Sequence, residues 1–143
     1  MPAIKIQGTE IEFEEKDVIT FSEGLVGFPQ LKRMVIVRQD TIEPFMWLAS
    51  LDHAELAFVV VEIGAVFSSS PALPADANLA SLIEADENPV GLAIVLIDTD
   101  WQKCSVNLRA PIFVSARAMA GAQIILADER LNVREPLPLA MAA

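Results

Sequence analysis

The chain is short of the residues that carry covalent and metal chemistry: 143 residues hold one cysteine, one histidine and no tyrosine. With Cys104 alone, no intrachain disulfide can form, and the fold must be held by its apolar core. Cys104 flanks an apolar strand candidate and reads as structural. Basic charge is missing from the middle of the chain. No Lys or Arg falls between Arg38 and Lys103, whereas Asp40, Glu43, Asp52, Glu55, Glu62, Asp76, Glu84, Asp86, Glu87, Asp98 and Asp100 do. Long hydrophobic runs are absent too, since none approaches the roughly 18 residues that span a bilayer. The longest uncharged stretch, Ile63 to Ala75, is interrupted by Pro71, Pro74 and a serine run. The amino terminus, Met-Pro-Ala-Ile-Lys, passes directly into alternating sequence without a secretory signal. These absences point away from a membrane and toward a cytoplasmic protein.

What is present is a large apolar content, 53% of residues with a mean hydropathy of +0.44. That is ample for one packed core, and the expectation is a single domain over 1–130 followed by a flexible tail, 131–143, in which Pro136 and Pro138 interrupt strand pairing. The net charge of −10 repels a phosphate backbone, so no direct nucleic-acid binding is expected, and a basic or neutral partner is favoured. Two readings of the acidic middle stay open: solvation of a hydrophobic segment, or a dedicated docking face.

The first residues spell a hairpin. Ala3–Gln7 and Glu10–Glu14 alternate apolar and polar around Gly8-Thr9, which predicts a two-residue II′ turn pairing Ile6 with Ile11, Ile4 with Phe13 and Lys5 with Glu12. Further strands are expected at Val18–Phe21, Met34–Arg38, Met46–Leu51, Leu56–Ile63, Val90–Ile97, Cys104–Leu108, Ile112–Ala116 and Gln123–Leu126. Several are continuous Val, Ile and Leu runs, as in strands covered on both faces or closed into a barrel. One short helix, capped by Asp76, places Leu79, Leu82 and Ile83 on one side and ends before Asn88-Pro89. The predicted class is mostly β: a small antiparallel, barrel-like single domain with one short helix.

Motifs for chemistry are few. His53 with its neighbouring carboxylates could serve a ligand-binding or catalytic barrel, but Ser-Leu-Asp-His-Ala-Glu-Leu has the composition of a turn between strands. Asp98-Thr-Asp100 lacks the central Gly and terminal Glu of a calcium loop. Serines 68–70 have no nucleophile elbow. Phe21-Ser-Glu-Gly24-Leu25-Val-Gly27-Phe28-Pro specifies a looped backbone anchored by apolar side chains. Its Gly-x-x-Gly lacks the basic neighbours of a nucleic-acid clamp, and it is no dinucleotide fingerprint. Trp47 reads as core, and Trp101, beside Asp100, as an exposed anchor. No cofactor or metal is expected.

Five blocks follow one another along the chain: Phe21-x-x-Gly-Leu-x-Gly-Phe28, Pro44-Phe45-x-x-Leu48 leading to Leu56-Ala-Phe-Val-Val60, Asn107-x-x-Ala-Pro111-Ile112, Gln123-x-Ile-Leu126 and Arg134-x-Pro-Leu137. Taken in that order, they resemble the FliW family of flagellar assembly factors almost from end to end. The chain departs from that pattern at Glu62–Phe67 and at Leu131-Asn-Val133. The resemblance implies a non-enzymatic, cytoplasmic β-barrel protein that binds flagellin and, when free of it, binds the translational repressor CsrA and relieves repression of flagellin mRNA. It also makes Phe21, Gly24, Leu25, Gly27, Phe28, Asn107 and Pro111 scaffold. Partner binding is expected on Glu84, Asp86, Glu87, Asp98, Asp100 and Trp101, and a monomer is favoured.

Overall fold

The computed structural model describes residues 2–54, 56–67, 77–84, 87–100 and 103–137. The chain begins with a hairpin of β1 (Ala3–Ile6) and β2 (Thr9–Glu12). Its register differs from the expected one: Ile4 pairs with Ile11, Lys5 with Glu10 and Ile6 with Thr9. The turn centres on Gln7 and Gly8, with φ of 50° and 81°. Positive φ at both central residues is the I′ geometry, whose twist matches that of the flanking strands, and it displaces the expected Gly-Thr turn by one residue. The strands therefore slip by two residues relative to each other, which leaves every side chain on its intended face.

The remaining strands are β3 (Ile19–Thr20), β4 (Arg33–Arg38), β5 (Phe45–Ser50), β6 (Ala57–Glu62), β7 (Val90–Leu96), β8 (Ser105–Val106), β9 (Ile112–Ser115), β10 (Ala120–Gln123) and β11 (Glu135–Pro136). β3 to β7 form an antiparallel meander. β7 then pairs through Val90–Leu92 with β9, β9 pairs with β10, and β10 returns to β3, closing a seven-stranded barrel. The β10–β3 contact, Ala120 beside Thr20, is parallel, an exception to the expected antiparallel pairing. The strand expected at Gln123–Leu126 lies earlier, at Ala120–Gln123. Ile124 and Leu126 instead donate single hydrogen bonds to the carbonyls of Pro111 and Arg109, at 3.1 and 2.7 Å.

Strand alternation explains the continuous apolar runs. Met34, Met46, Leu48, Val60, Leu92, Ile112 and Val114 point inward and form the barrel core, each full burial contributing roughly 1.5–3 kcal/mol. Their neighbours point outward and are covered in turn. The hairpin lies over Val35, Val37 and Ala49. Val61, Ala93 and Val95 lie under Val66, Phe67, Leu131 and Leu137. Leu79, Leu82 and Ile83 cover Phe113 and Ala122.

Among the described residues two short α-helices stand where one was expected: α1 (Ile63–Val66) and α2 (Ala77–Leu82). α2 occupies the expected helix, with its proposed cap Asp76 outside the described residues. α1 is a single turn pinned by the buried Ile63, too short to leave a periodic signal in sequence. The segment from 131, expected as a loose tail, is held through Leu137. Glu135 and Pro136 pair with Val106 and Ser105. The Arg109 Nε donates to the Leu131 carbonyl at 3.0 Å, and the Leu108 N–H to that of Asn132 at 2.9 Å. Pro136 is tolerated because β11 is an edge strand, where a missing N–H leaves no partner unsatisfied.

Candidate functional site

The two ends of the barrel differ. One end is plugged by the loop after β3, in which Phe21, Leu25 and Leu31 are buried. Gly24 and Gly27 turn it with φ of 67° and 83°. Leu25 and Phe28 exchange backbone hydrogen bonds of 3.1 and 2.8 Å, and the Phe28 ring meets Phe58 edge-on at 5.4 Å. Gln123 ties this plug to the next loop, accepting from the Val26 N–H at 2.8 Å and donating to the Ala110 carbonyl at 3.0 Å. The Asn107 Oδ1 accepts from the N–H groups of Arg109 and Ala110, which turns the chain into Pro111. Three of the sequence blocks, distant along the chain, thus meet at one end of the barrel.

Asp52 secures the same end. Its carboxylate accepts from the N–H groups of Lys32 and Arg33, both at 2.8 Å, and faces the Arg33 guanidinium at 3.3 Å. Desolvation raises its pKa, but the two backbone N–H bonds and the guanidinium outweigh this and hold it below the ordinary carboxylate value. His53 is exposed on the adjoining turn, with its N–H donated to the Ser50 Oγ at 2.9 Å. It is at the plugged end and does not line the barrel interior. Among the described residues, no group of three or more His, Cys, Asp or Glu is placed to hold a metal ion, and no helix is long and apolar enough to cross a membrane.

The acidic candidates fall into two groups at opposite ends of β7, separated by about 20 Å of strand. Before β7, Glu84 pairs with Arg117 at 2.9 Å, while Glu87 accepts from the buried Ser115 hydroxyl at 2.9 Å. Glu87 is therefore part of the packing around the β9–β10 turn. After β7, Asp98 accepts from the Asp100 N–H at 2.9 Å, and its own N–H reaches the Cys104 Sγ at 3.3 Å. Asp98 borders a surface depression of about 590 Å³ that it shares with Lys103 and Arg134, so the carboxylate there is offset by bases. Asp86 and Trp101 lie outside the described residues.

Among the described residues the other end of the barrel is open. A cavity of about 270 Å³ has the inward side chains Ile19, Ile36, Met46, Leu92 and Val114 as its apolar floor and wall, with Asp17, Arg38 and Glu62 among its lining residues. Arg38, Met46 and Glu62 also border a second depression of about 200 Å³, with Glu43, Pro44 and Phe45. Among the described residues neither Arg38 nor Glu62 has an ion-pair partner. Sequence reading missed this mouth because its charged residues come from separate segments. A signal was there: Arg38 and Glu62 each end an apolar run, on alternate strands of a meander, which places both at one end.

Taken together, the fold and its ends define a small closed β-barrel with one plugged end and one open, charge-rimmed mouth. A family model described as FliW protein matches residues 5–137. Flagellar assembly factor FliW of Ruminiclostridium cellulolyticum is 36% identical over 127 residues, covering 87% of this chain and 86% of that protein. The protein of the same name from Geobacter sulfurreducens is 34% identical, covering 89% and 80%. A crystal structure of the flagellar assembly factor FliW superposes with a TM-score of 0.85 at 26% identity, covering 94% of this chain and 96% of that one. The chain belongs to the FliW family.

Proposed function

We propose that this protein is a non-enzymatic, cytoplasmic flagellar assembly factor that binds flagellin and, when free of it, binds and antagonises the translational repressor CsrA, so that flagellin mRNA is translated. The observation that carries this reading is the family match over residues 5–137. The charge supports it: a protein of net charge −10 gains encounter rate and specificity toward a partner that is basic because it binds RNA. Flagellin, with amphipathic terminal helices, would use apolar surface instead. Exposed apolar residues are available at Val26, Leu96, Ile97, Ile125 and Val133.

The test is calorimetric titration of the purified protein with CsrA and with the flagellin carboxy-terminal segment, separately and in competition. Heat with each partner, and loss of the CsrA signal when flagellin is present, is the expected result. Absence of heat with both would remove the proposal.

A further inference from the structure

We propose that the open mouth of the barrel is an anchoring pocket for one large apolar side chain carried on a basic segment of a protein partner, an inference that rests on the functional reading above. The barrel is asymmetric: the Phe21–Leu31 loop fills one end, and among the described residues no equivalent plug enters the other, where they enclose a cavity of about 270 Å³. At ~30 Å³ for each small group, that space holds about nine non-hydrogen atoms, the scale of a phenylalanine or tryptophan side chain. A helix about 10 Å across cannot enter it, so what enters is a single side chain.

The rim selects the flanking chemistry. Asp17, Glu43 and Glu62 stand against Arg38 around the two adjoining depressions, a local charge of −2. The depression at the far end of β7 has the opposite balance, with Asp98 against Lys103 and Arg134. An apolar floor inside an acidic rim fits an apolar anchor flanked by Lys or Arg, the arrangement in which a buried aromatic or aliphatic group carries most of the binding energy and peripheral charges set specificity.

Two variants test the pocket by different means. Ala116→Trp places an indole at an exposed position of the mouth lining, where it can fill the cavity from within the same chain. Glu62→Lys reverses an exposed rim charge that has no ion-pair partner among the described residues. Glu23→Lys, at an exposed position of the plug loop at the other end of the barrel, is the control. Thermal melts establish that each variant is folded, and calorimetric titration with CsrA, the basic partner, reads the affinity. Both mouth variants should weaken binding by about tenfold or more, with the control close to wild type. Wild-type affinity in either folded mouth variant, while the unsubstituted protein binds, would overturn the anchoring pocket and leave the proposed function standing. An unsubstituted protein that binds neither CsrA nor flagellin would overturn both.

Discussion

The Phe21 ring occupies the space that a side chain on Gly121 would need. A Cβ at position 121 would lie 2.6 Å from the Phe21 Cε1 and 3.1 Å from the Phe113 carbonyl oxygen. The loop that plugs the barrel and the strand that closes it are therefore fitted to each other. Gly121→Ala should lower stability by about 1–3 kcal/mol through overpacking. Phe21→Leu should relieve part of that loss while opening a cavity of its own. Urea denaturation of both single variants and the double variant measures the coupling, and strictly additive losses would contradict the fit.

The two glycines of the plug are unequal. A Cβ on Gly24 would come within 2.6 Å of the Phe28 carbonyl oxygen and of Pro29 backbone atoms, whereas one on Gly27 meets nothing within 4 Å. Both residues have positive φ, which costs an alanine roughly 1–2 kcal/mol. Gly27→Ala should show only that conformational loss. Gly24→Ala should lose more, because backbone atoms cannot move aside as a flexible side chain can. Equal melting temperatures for the two variants would be the contrary result.

Acid should loosen the plugged end through Asp52. Its folded pKa lies below the reference of 3.8, so the stabilisation is complete above the unfolded value and is lost as pH falls through the folded one. Asp52→Asn should therefore be less stable than wild type near pH 7, with the difference shrinking as pH approaches about 2. Denaturant titrations across that range check the sign; a difference that does not shrink in acid would assign the loss to geometry alone.

Residues 131–137 should contribute to stability rather than trail from the domain. Leu137 and Leu131 pack against the cluster of Val61, Val95 and Val106. Leu137→Ala should cost about 1–2 kcal/mol, below the range for fully buried leucines because Leu137 is only half-buried. Termination after Arg130 should cost more, since it also removes the β11 pairing and the two carbonyls, of Leu131 and Asn132, that accept from Arg109 and Leu108. A melting temperature unchanged by that truncation would contradict this role.

Much of the core was legible in the sequence. The inward positions of β4 to β7 follow from alternation, and the Val, Ile and Leu runs showed that both strand faces would be covered. The hairpin faces were legible while its register was not. A slip of two residues keeps every face unchanged, so only the turn conformation at Gln7 and Gly8 could decide it. Within the expected tail, the pairing at 135–136 was not legible for a related reason: Pro136 excludes a central strand, and sequence does not tell an edge strand from a loop; residues 138–143 lie outside the described residues.

For this protein the sequence by itself determined the class of fold and the family, because periodicity and turn residues act over short separations and the motif blocks keep their order along the chain. Tertiary structure decided which end of the barrel is open and which acidic residues share a surface. β7 divides Glu84 and Glu87 from Asp98, while the returns of β9 to β7 and of β10 to β3 bring Asp17, Arg38 and Glu62 around one mouth. Those pairings join segments far apart in the chain, and their stability comes from burying a shared core, which no local pattern of residues specifies.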